Sequence, residues 1–550
     1  MKRLAVLPFE NLGPAADDYF ADGMTDEIRG KLAALPGLQV IARSSATQYK
    51  KNTAKSPAQI GRELAVDYLL TGTVRWQDAQ AGTRRVRVSP ELTRVPDGVA
   101  QWAEPFDTEL NDVFKVQADI ASRVAQALDV ALGAGARKQL AQRPTANVEA
   151  YDAFLRGQQL SQNMTLSDAV PLRKATLEYE RAVALDPSFA QAWAQLSRAV
   201  CMNASSAPTT ADIEQCRASA ERAVALGPNV PESRLALGGY FRLIRVDLDK
   251  ALEQYTLGLQ ASPSHVELLA DSAVAERSLG RFEQALVHLQ LAAQLDPRSV
   301  SAASSLARSY HVLHKHADAQ REYERALALA PANLALVQGR AADYLSQGDL
   351  AGARAVIATA LQHVDATAVV VRFATFQEMM WVLPDELRAR VVDLQLADFD
   401  NDRGMWALKV GNTYRLMGNS EQARSYGAIA AQTYAETVKK FPDDVQQSEL
   451  LGRALALAGR KAEALQAGER SLALRTALDA VNGPYYRYQV ARICLQAGQY
   501  DRALELIEPL LAIPGDLTPG WLKIDPIFAP LRGNPRFERL VNRGASPASR

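Results

Sequence analysis

Along the last three-quarters of the chain, small and large apolar positions recur at helical spacing and run out at a proline. Ala319, Tyr323 and Ala326 show it most plainly, with Pro331 five residues on. Spacings of four and three put these side chains on one helix face, and proline stops the helix because it has no N–H to donate. The register returns at Ala175, Tyr179, Ala182 and Pro187, at Ala251, Tyr255, Gly258 and Pro263, and at Ala285, Leu289, Ala292 and Pro297. A second pattern of a large apolar, a small and an aromatic or apolar residue marks a preceding helix. It is seen at Leu306, Ala307 and Tyr310, at Val410, Gly411 and Tyr414, at Leu451, Gly452 and Leu455, and at Val490, Ala491 and Cys494. Gly280, Gly348, Gly418, Gly459 and Gly498 follow such helices, where a left-handed residue lets the chain fold back. The pattern predicts a stack of helical hairpins, with small residues permitting close approach and large ones filling the remaining space.

Before residue 143 the pattern alternates between strand and helix. Residues 4–9 read as a buried strand, and Phe20, Met24, Ile28, Leu32 and Leu35 as a helix capped by Asp17 or Asp18 and stopped at Pro36-Gly37. Residues 38–42 read as the next strand. Ser56 and Pro57 open a second helix through Ile60 and Leu64. Residues 67–76 and 84–95 read as neighbouring strands joined at 78–82, then a strand at 101–106 and an amphipathic helix through Val113, Val116, Ile120, Val124 and Leu128. Pro90 implies an edge position or a bulge in its strand. Arg143-Pro144-Thr145 marks the junction with the helical part. Residues 366–402 depart from the hairpin pattern, and residues 201–212 carry an insertion rich in Ser, Ala, Thr and Pro.

A period near 34 residues with these positions recurring together resembles the tetratricopeptide repeat, from about residue 148 to 514, with about nine or ten hairpins. The N-terminal part resembles the TolB amino-terminal domain. The resemblance is carried by Ala5-Val6-Leu7-Pro8-Phe9-Glu10-Asn11, by Tyr19-Phe20-Ala21-Asp22-Gly23-Met24-Thr25-Asp26-Glu27, and by the runs 40–45, 60–64, 67–74 and 102–107. The expected organisation is multidomain: an α/β domain over residues 1–142, an all-α solenoid over 147–515 wound as a right-handed superhelix, and a capping segment with a disordered tail over 516–550. The resemblance implies a bacterial regulatory protein. In such proteins a serine/threonine kinase, an adenylate cyclase or a winged-helix regulator commonly lies upstream, sometimes with a membrane span. Because Met1 directly precedes the first strand, such a unit is expected to be missing from this chain.

Composition narrows the function. Hydrophobic residues make up 48% and charged residues 23%, and the 62 basic residues equal the 62 acidic ones, so bulk charge gives no argument for nucleic acid or an anionic membrane as partner. No window reaches the roughly 20 apolar residues of a membrane span; even residues 366–383 are cut by Arg372, Gln377 and Glu378. Cys201, Cys216 and Cys494 show no C-x-x-C spacing and read as buried free thiols. There is no Walker, zincin, nucleophile-elbow or kinase motif, so no catalytic residue, cofactor or metal is expected. His311, His314 and His316 could share a metal, but with no cysteine nearby they read as decoration of a turn. The acidic run Asp17, Asp18, Asp22, Asp26 and Glu27 reads as favourable charge at a helix N-terminus.

The register also places Arg198, Arg242, Arg277, Arg308, Arg415, Arg453 and Arg492 on one face of successive first helices. Guanidinium forks pair with carboxylates in two-point geometry, so such a face suits an acidic peptide, with Tyr485 and Tyr488, beside Tyr486, as apolar anchors. The competing reading has these arginines paired with Glu232, Glu267 or Glu449 to hold the stack together. The expected function is non-catalytic capture of a protein or peptide partner in bacterial signalling, with homo-oligomerisation also compatible. The alternative makes the chain the regulatory portion of a kinase, cyclase or winged-helix regulator. The expected location is the cytoplasm, or the periplasm if an upstream span belongs to the protein.

Overall fold

The computed structural model describes residues 1–50, 55–78, 84–109, 112–162, 170–204, 209–375, 379–474 and 482–542. The expected turn at 79–82, part of the insertion at 205–208, Gln377, Glu378 and the expected disordered tail at 543–550 lie outside these residues. The chain forms two compact units, one of Met1–Glu276 with Glu283–Ala302 and one of Arg277–Phe282 with Ala303–Arg550.

The first unit opens with a mixed sheet of β1 (Lys2–Val6), β2 (Glu10–Asn11), β3 (Leu38–Val40), β4 (Tyr68–Asp78), β5 (Arg84–Arg94), β6 (Ala100–Ala103) and β7 (Phe106–Glu109). Its strand order is β3-β1-β4-β5-β6, with β1 parallel to β3 and β4, and β4 and β5 forming a long antiparallel pair. Helices α1 (Asp18–Ala33), α2 (Arg43–Ala46), α3 (Pro57–Leu64), α4 (Val113–Ala127) and α5 (Ala134–Ala141) complete this region. Alternation along the strands sends Leu4, Val6, Leu70, Val74 and Val88 to a core with Met24, Ile28 and Ile120, while Ala5, Leu7 and Leu69 pack with Ile41, Ile60 and Leu64 on the other face. Ser56 caps α3 in a reciprocal capping box with Gln59, as expected. Asp17 precedes α1, but its side chain makes no capping bond.

The strand expected over 101–106 is two strands, separated at Glu104 and Pro105. Pro90 pairs with Gly72 of β4. On its other side it falls in the gap between the β7 pairing, which ends at Val88, and the β6 pairing, which begins at Glu91. Its missing N–H therefore costs no ladder bond.

The helical part runs through paired helices in chain order. They are α6 (Val148–Gln162) with α7 (Val170–Leu185), α8 (Ala190–Ala204) with α9 (Thr210–Leu226), α10 (Pro231–Tyr240) with α11 (Leu248–Ala261), and α12 (Val266–Ser278) with α13 (Phe282–Leu295). Next come α14 (Val300–Val312) with α15 (His316–Leu329), and α16 (Leu334–Ser346) with α17 (Leu350–Ala360). The irregular stretch holds α18 (Ala366–Thr375), α19 (Asp385–Ala389) and single 3-10 turns. After it come α20 (Arg403–Leu416) with α21 (Ser420–Lys440), α22 (Val445–Leu457) with α23 (Lys461–Ala473), and α24 (Asn482–Ala497) with α25 (Tyr500–Ile507). Nine regular hairpins are thus described. The tyrosine of the repeat fills space left by a glycine: a Cβ on Gly238 would come within 2.2 Å of the Tyr255 ring. The five turn glycines all adopt positive φ, between 77° and 84°.

One feature departs from the sequence reading, and a second adds what that reading did not hold. Cys201 of α8 and Cys216 of α9 form a disulfide, with Cα atoms 5.3 Å apart, where free thiols were expected. Hairpin pairing brings the two helices side by side, a proximity that a separation of 15 residues does not announce. Only Cys494 is free among the described cysteines, and burial pushes its thiol up to about 11. The second feature follows α25, where a capping segment was expected over 516–550 but not what it would cover. The chain crosses back as a strap through residues 513–518, then α26 (Pro519–Ile524), a 3-10 turn and α27 (Pro535–Val541). Leu517, Trp521, Leu522, Ile527, Phe528 and Leu540 of this segment belong to one core with Val337, Phe373 and Leu504. Among the described residues no helix is long and apolar enough to cross a membrane.

Candidate partner-binding face

Within the first unit, the α/β region packs on the repeats through α1. A Cβ on Gly23 would meet Leu155 of α6 at 2.4 Å, and the Arg156 guanidinium lies 4.9 Å from the Tyr19 ring. A second grip holds the turn after α13. Ser44 and Ser45 both donate to Asp296, the Ala42 N–H donates to the Leu295 carbonyl at 2.7 Å, and Arg298 pairs with Glu63 at 3.2 Å. The acidic residues of α1 are paired: Asp26 with Arg29 and Arg43, and Asp22 with Lys50 at 2.6 Å.

Within the second unit, the strap lies against first helices and meets two of the predicted arginines. Arg492 is buried and donates to Asp525 Oδ2 at 3.0 Å and to the Tyr488 hydroxyl at 2.9 Å. Asp525, 1% exposed, also accepts from Trp521 Nε1 and from the Ile527 N–H, so every side of its carboxylate is satisfied within the fold. Tyr488 stacks on Phe528. Arg308 instead grips Asp516 with both terminal nitrogens, and the two side chains are each 34% exposed. The Gly515 N–H donates to the Val312 carbonyl at 3.0 Å, and Thr518 donates to the Ser346 carbonyl.

Beside Arg308, His311 is fully buried and bridges two carboxylates, Nδ1 to Asp343 at 2.9 Å and Nε2 to Asp516 at 2.9 Å. A carboxylate at each nitrogen favours the doubly protonated ring, which can donate to both. Burial alone would lower its pKa, but the bonds to Asp343 and Asp516 outweigh burial and hold it above the usual value. Asp343 also accepts from Gln320 at 2.8 Å and meets His316 Nδ1 at 2.9 Å. Burial works against the Asp343 carboxylate, yet His311 and His316 keep it well below its ordinary range. The histidine cluster read as turn decoration is therefore a buried charge network at His311, and only His314 stands exposed.

The seven arginines are not equivalent. Arg453 is 5% exposed and pairs with Glu449 of its own helix at 3.4 Å, so it and Arg492 are interior ties, contrary to the expectation of a row offered to a partner. The register that aligned them gives the helix face but not what covers it. Arg242 meets Asp271 at 3.4 Å and the Tyr255 hydroxyl at 3.3 Å. Arg415 donates to Asn412 and lines a small cavity with Trp381, Arg492 and Asp525. Among the described residues Arg198 has no ion pair, although with His265 it keeps the Glu267 carboxyl low against the effect of burial. The Arg277 Nε is buried without a hydrogen-bond partner, and burial together with Arg308 lowers the guanidinium's pKa. Tyr485 is 38% exposed and edge-on to Tyr486. Asp343, Asp516 and Asp525 were missed because nothing periodic marks them.

No family model matches the chain. Over 195 residues it is 35% identical to putative adenylate cyclase 3 of Rhizobium meliloti (strain 1021), a match covering 35% of this chain and 32% of that protein, so the chain spans about a third of that relative's length. Among solved structures it is similar to TTC0263, a thermophilic TPR protein of Thermus thermophilus. There the identity is 20% and the TM-score 0.30, over 36% of this chain and 99% of that one. It is also similar to YrrB, a TPR protein with an unusual peptide-binding site, at 13% identity and a TM-score of 0.29, over 34% of this chain and 91% of that one.

Proposed function

We propose that the chain is a non-catalytic scaffold that holds a partner polypeptide on the first-helix faces of its hairpins, with a preference for acidic segments, in bacterial signalling. The observation that carries this reading is the half-exposed Arg308, which takes a carboxylate in two-point geometry. Arg198, Arg242, Arg277, Arg415 and Tyr485 are the further contact candidates, while Arg453, Arg492 and Tyr488 serve the partner only by holding the stack. In this reading the N-terminal domain is a TolB-like unit that fixes the first hairpins.

The test is photo-crosslinking from positions 198 and 485 of the full chain in its own cells. Covalent capture of one polypeptide species at either position is expected. Capture no greater than from a control position on α7 would overturn the reading.

A second reading makes the chain the regulatory portion of a cyclase-type protein, and the match to a putative adenylate cyclase favours it. Deleting the coding region should then change cellular cyclic AMP, and an unchanged level would set it aside. The Cys201–Cys216 disulfide favours the extracytoplasmic alternative for location, because cytosolic thiol pools keep cysteines reduced.

A further inference from the structure

The two carboxylates of the strap stand nine residues apart and are held in different ways. Asp525 is sealed within the fold. Removing it would take the carboxylate that faces the buried Arg492 and the acceptor of Trp521 Nε1 and the Ile527 N–H, and such a tie is not exchangeable. Asp516 and Arg308 are open to solvent on one side, and the strap just before them has Ala512 and Ile513 exposed, with one backbone bond, from Gly515 to Val312, on the helix beneath. The pair of Asp516 with Arg308 contributes little by itself, and a partner carboxylate that also accepts from His311 Nε2 can take the place of Asp516 without unfolding the core that holds Trp521 and Phe528.

Arg308 and His311 both bind Asp516, and Arg277 lies near enough to Arg308 to feel its charge, while Asp343 is committed to His311, His316 and Gln320. Arg277 has a buried Nε with no hydrogen-bond partner and feels Arg308 as a like charge, a position that a second anion would relieve.

We infer that Arg277, Arg308 and His311 form a carboxylate-recognition point for an acidic segment of a partner polypeptide, and that Asp516 is its resident competitor. The inference rests on the scaffold reading and deepens it by naming the residues that take the acidic side chain and the way access to them is controlled. In the resting chain Asp516 fills the point. A partner segment with an acidic side chain displaces residues 513–516, while Leu517 stays in the core, Thr518 keeps its cap on α26, and α26 and α27 stay in place; Arg277 completes the grip.

The experiment uses the full chain and a fluorescein-labelled peptide copying residues 513–519, with a second peptide carrying asparagine in place of its aspartate. Fluorescence anisotropy should show D516N binding the acidic peptide about tenfold more tightly than the unmodified chain, as expected if the open state is populated to about 10%. The asparagine peptide should bind neither, and R277Q and R308Q introduced into D516N should each abolish the gain. Hydrogen exchange over 519–541 confirms that these variants keep the strap folded. Equal affinity of the unmodified chain and D516N, or a gain that survives both arginine substitutions, overturns the inference. Crosslinking from positions 198 and 485 does not depend on Arg308, so partner capture there together with a failed D516N gain removes this inference and leaves the scaffold reading standing.

Discussion

In both units a segment from outside the repeats covers first-helix faces, but the two are held by different physics. In the first unit the cover is the α/β region, joined to α6, α8 and α10 through one continuous apolar core that includes Phe114, Tyr151, Phe154 and Phe189. In the second it is the strap, apolar through α26 and α27 but fixed at its leading end by Asp516 on Arg308 and His311. Apolar burial is non-directional and falls only with the whole element, whereas a half-exposed ion pair can be broken by itself. The contrast teaches that the strap's leading end is a place where a covered face can open without unfolding the apolar core beneath it.

The strongest way to break this comparison is to exchange the roles of the strap's two carboxylates. Asp525→Ala should cost the second unit about 3–5 kcal/mol, because it takes the carboxylate from the buried Arg492, while Asp516→Ala should cost less, about 1–3 kcal/mol, because Arg308 is half exposed but the buried His311 Nε2 loses its acceptor. Hydrogen exchange of α24 peptides under denaturant measures both, and equal costs would end the distinction between a sealed and an open tie. Reducing the Cys201–Cys216 bond should destabilise the first unit by about 3 kcal/mol, the value for a loop of this length, and leave exchange in α20 to α24 unchanged. A melting shift that C201S/C216S does not reproduce would point to another cause. Gly23→Ala, which drives a methyl group into Leu155, should cost about 1–3 kcal/mol through overpacking and loosen α1 from α6. Unaltered protection of α1 would mean that the apolar contact is not what holds the cover.

The smallest effect is on pH dependence. His311 is held charged in the folded state, so its contribution is complete below the ordinary histidine value of about 6.5 and is lost as pH rises through the raised folded value. Asp343 and Asp516, both lowered, act in the opposite sense: their contribution is present above the usual carboxylate range and is lost only in acid. Exchange over 513–518 should therefore quicken as pH is raised above about 6.5, after correction for intrinsic rates, and H311N should flatten that response. An identical slope in H311N would remove His311 from the tie.

What could be read from the sequence was what is local or periodic. The turn glycines, the Ser56 cap, the alanine and tyrosine positions and the irregular stretch after Ala366 each depend on neighbours within one hairpin, and the structure has them where the spacing puts them. A capping segment was expected over 516–550, but the ties it makes were not legible, because Asp516 lies 208 residues from Arg308 and belongs to no repeat. Burial separated arginines that the register had made equivalent, since the spacing that aligns Arg308 with Arg492 is blind to what later lies over each. The disulfide was missed for a related reason: the spacing of Cys201 and Cys216 has no signature, and only the pairing of α8 with α9 brings them together.

The clasp between Ser44, Ser45 and Asp296 has a consequence for how the protein is made. These partners are 252 and 251 residues apart, so the α/β region leaves the ribosome long before the turn it grips exists. At about 5–20 residues per second, α2 waits roughly 12 to 50 seconds for that turn. For that interval the nascent chain carries two serine hydroxyls and the backbone of Ala42 without their final partners, so pauses in synthesis near residue 296 should bear directly on the yield of folded protein.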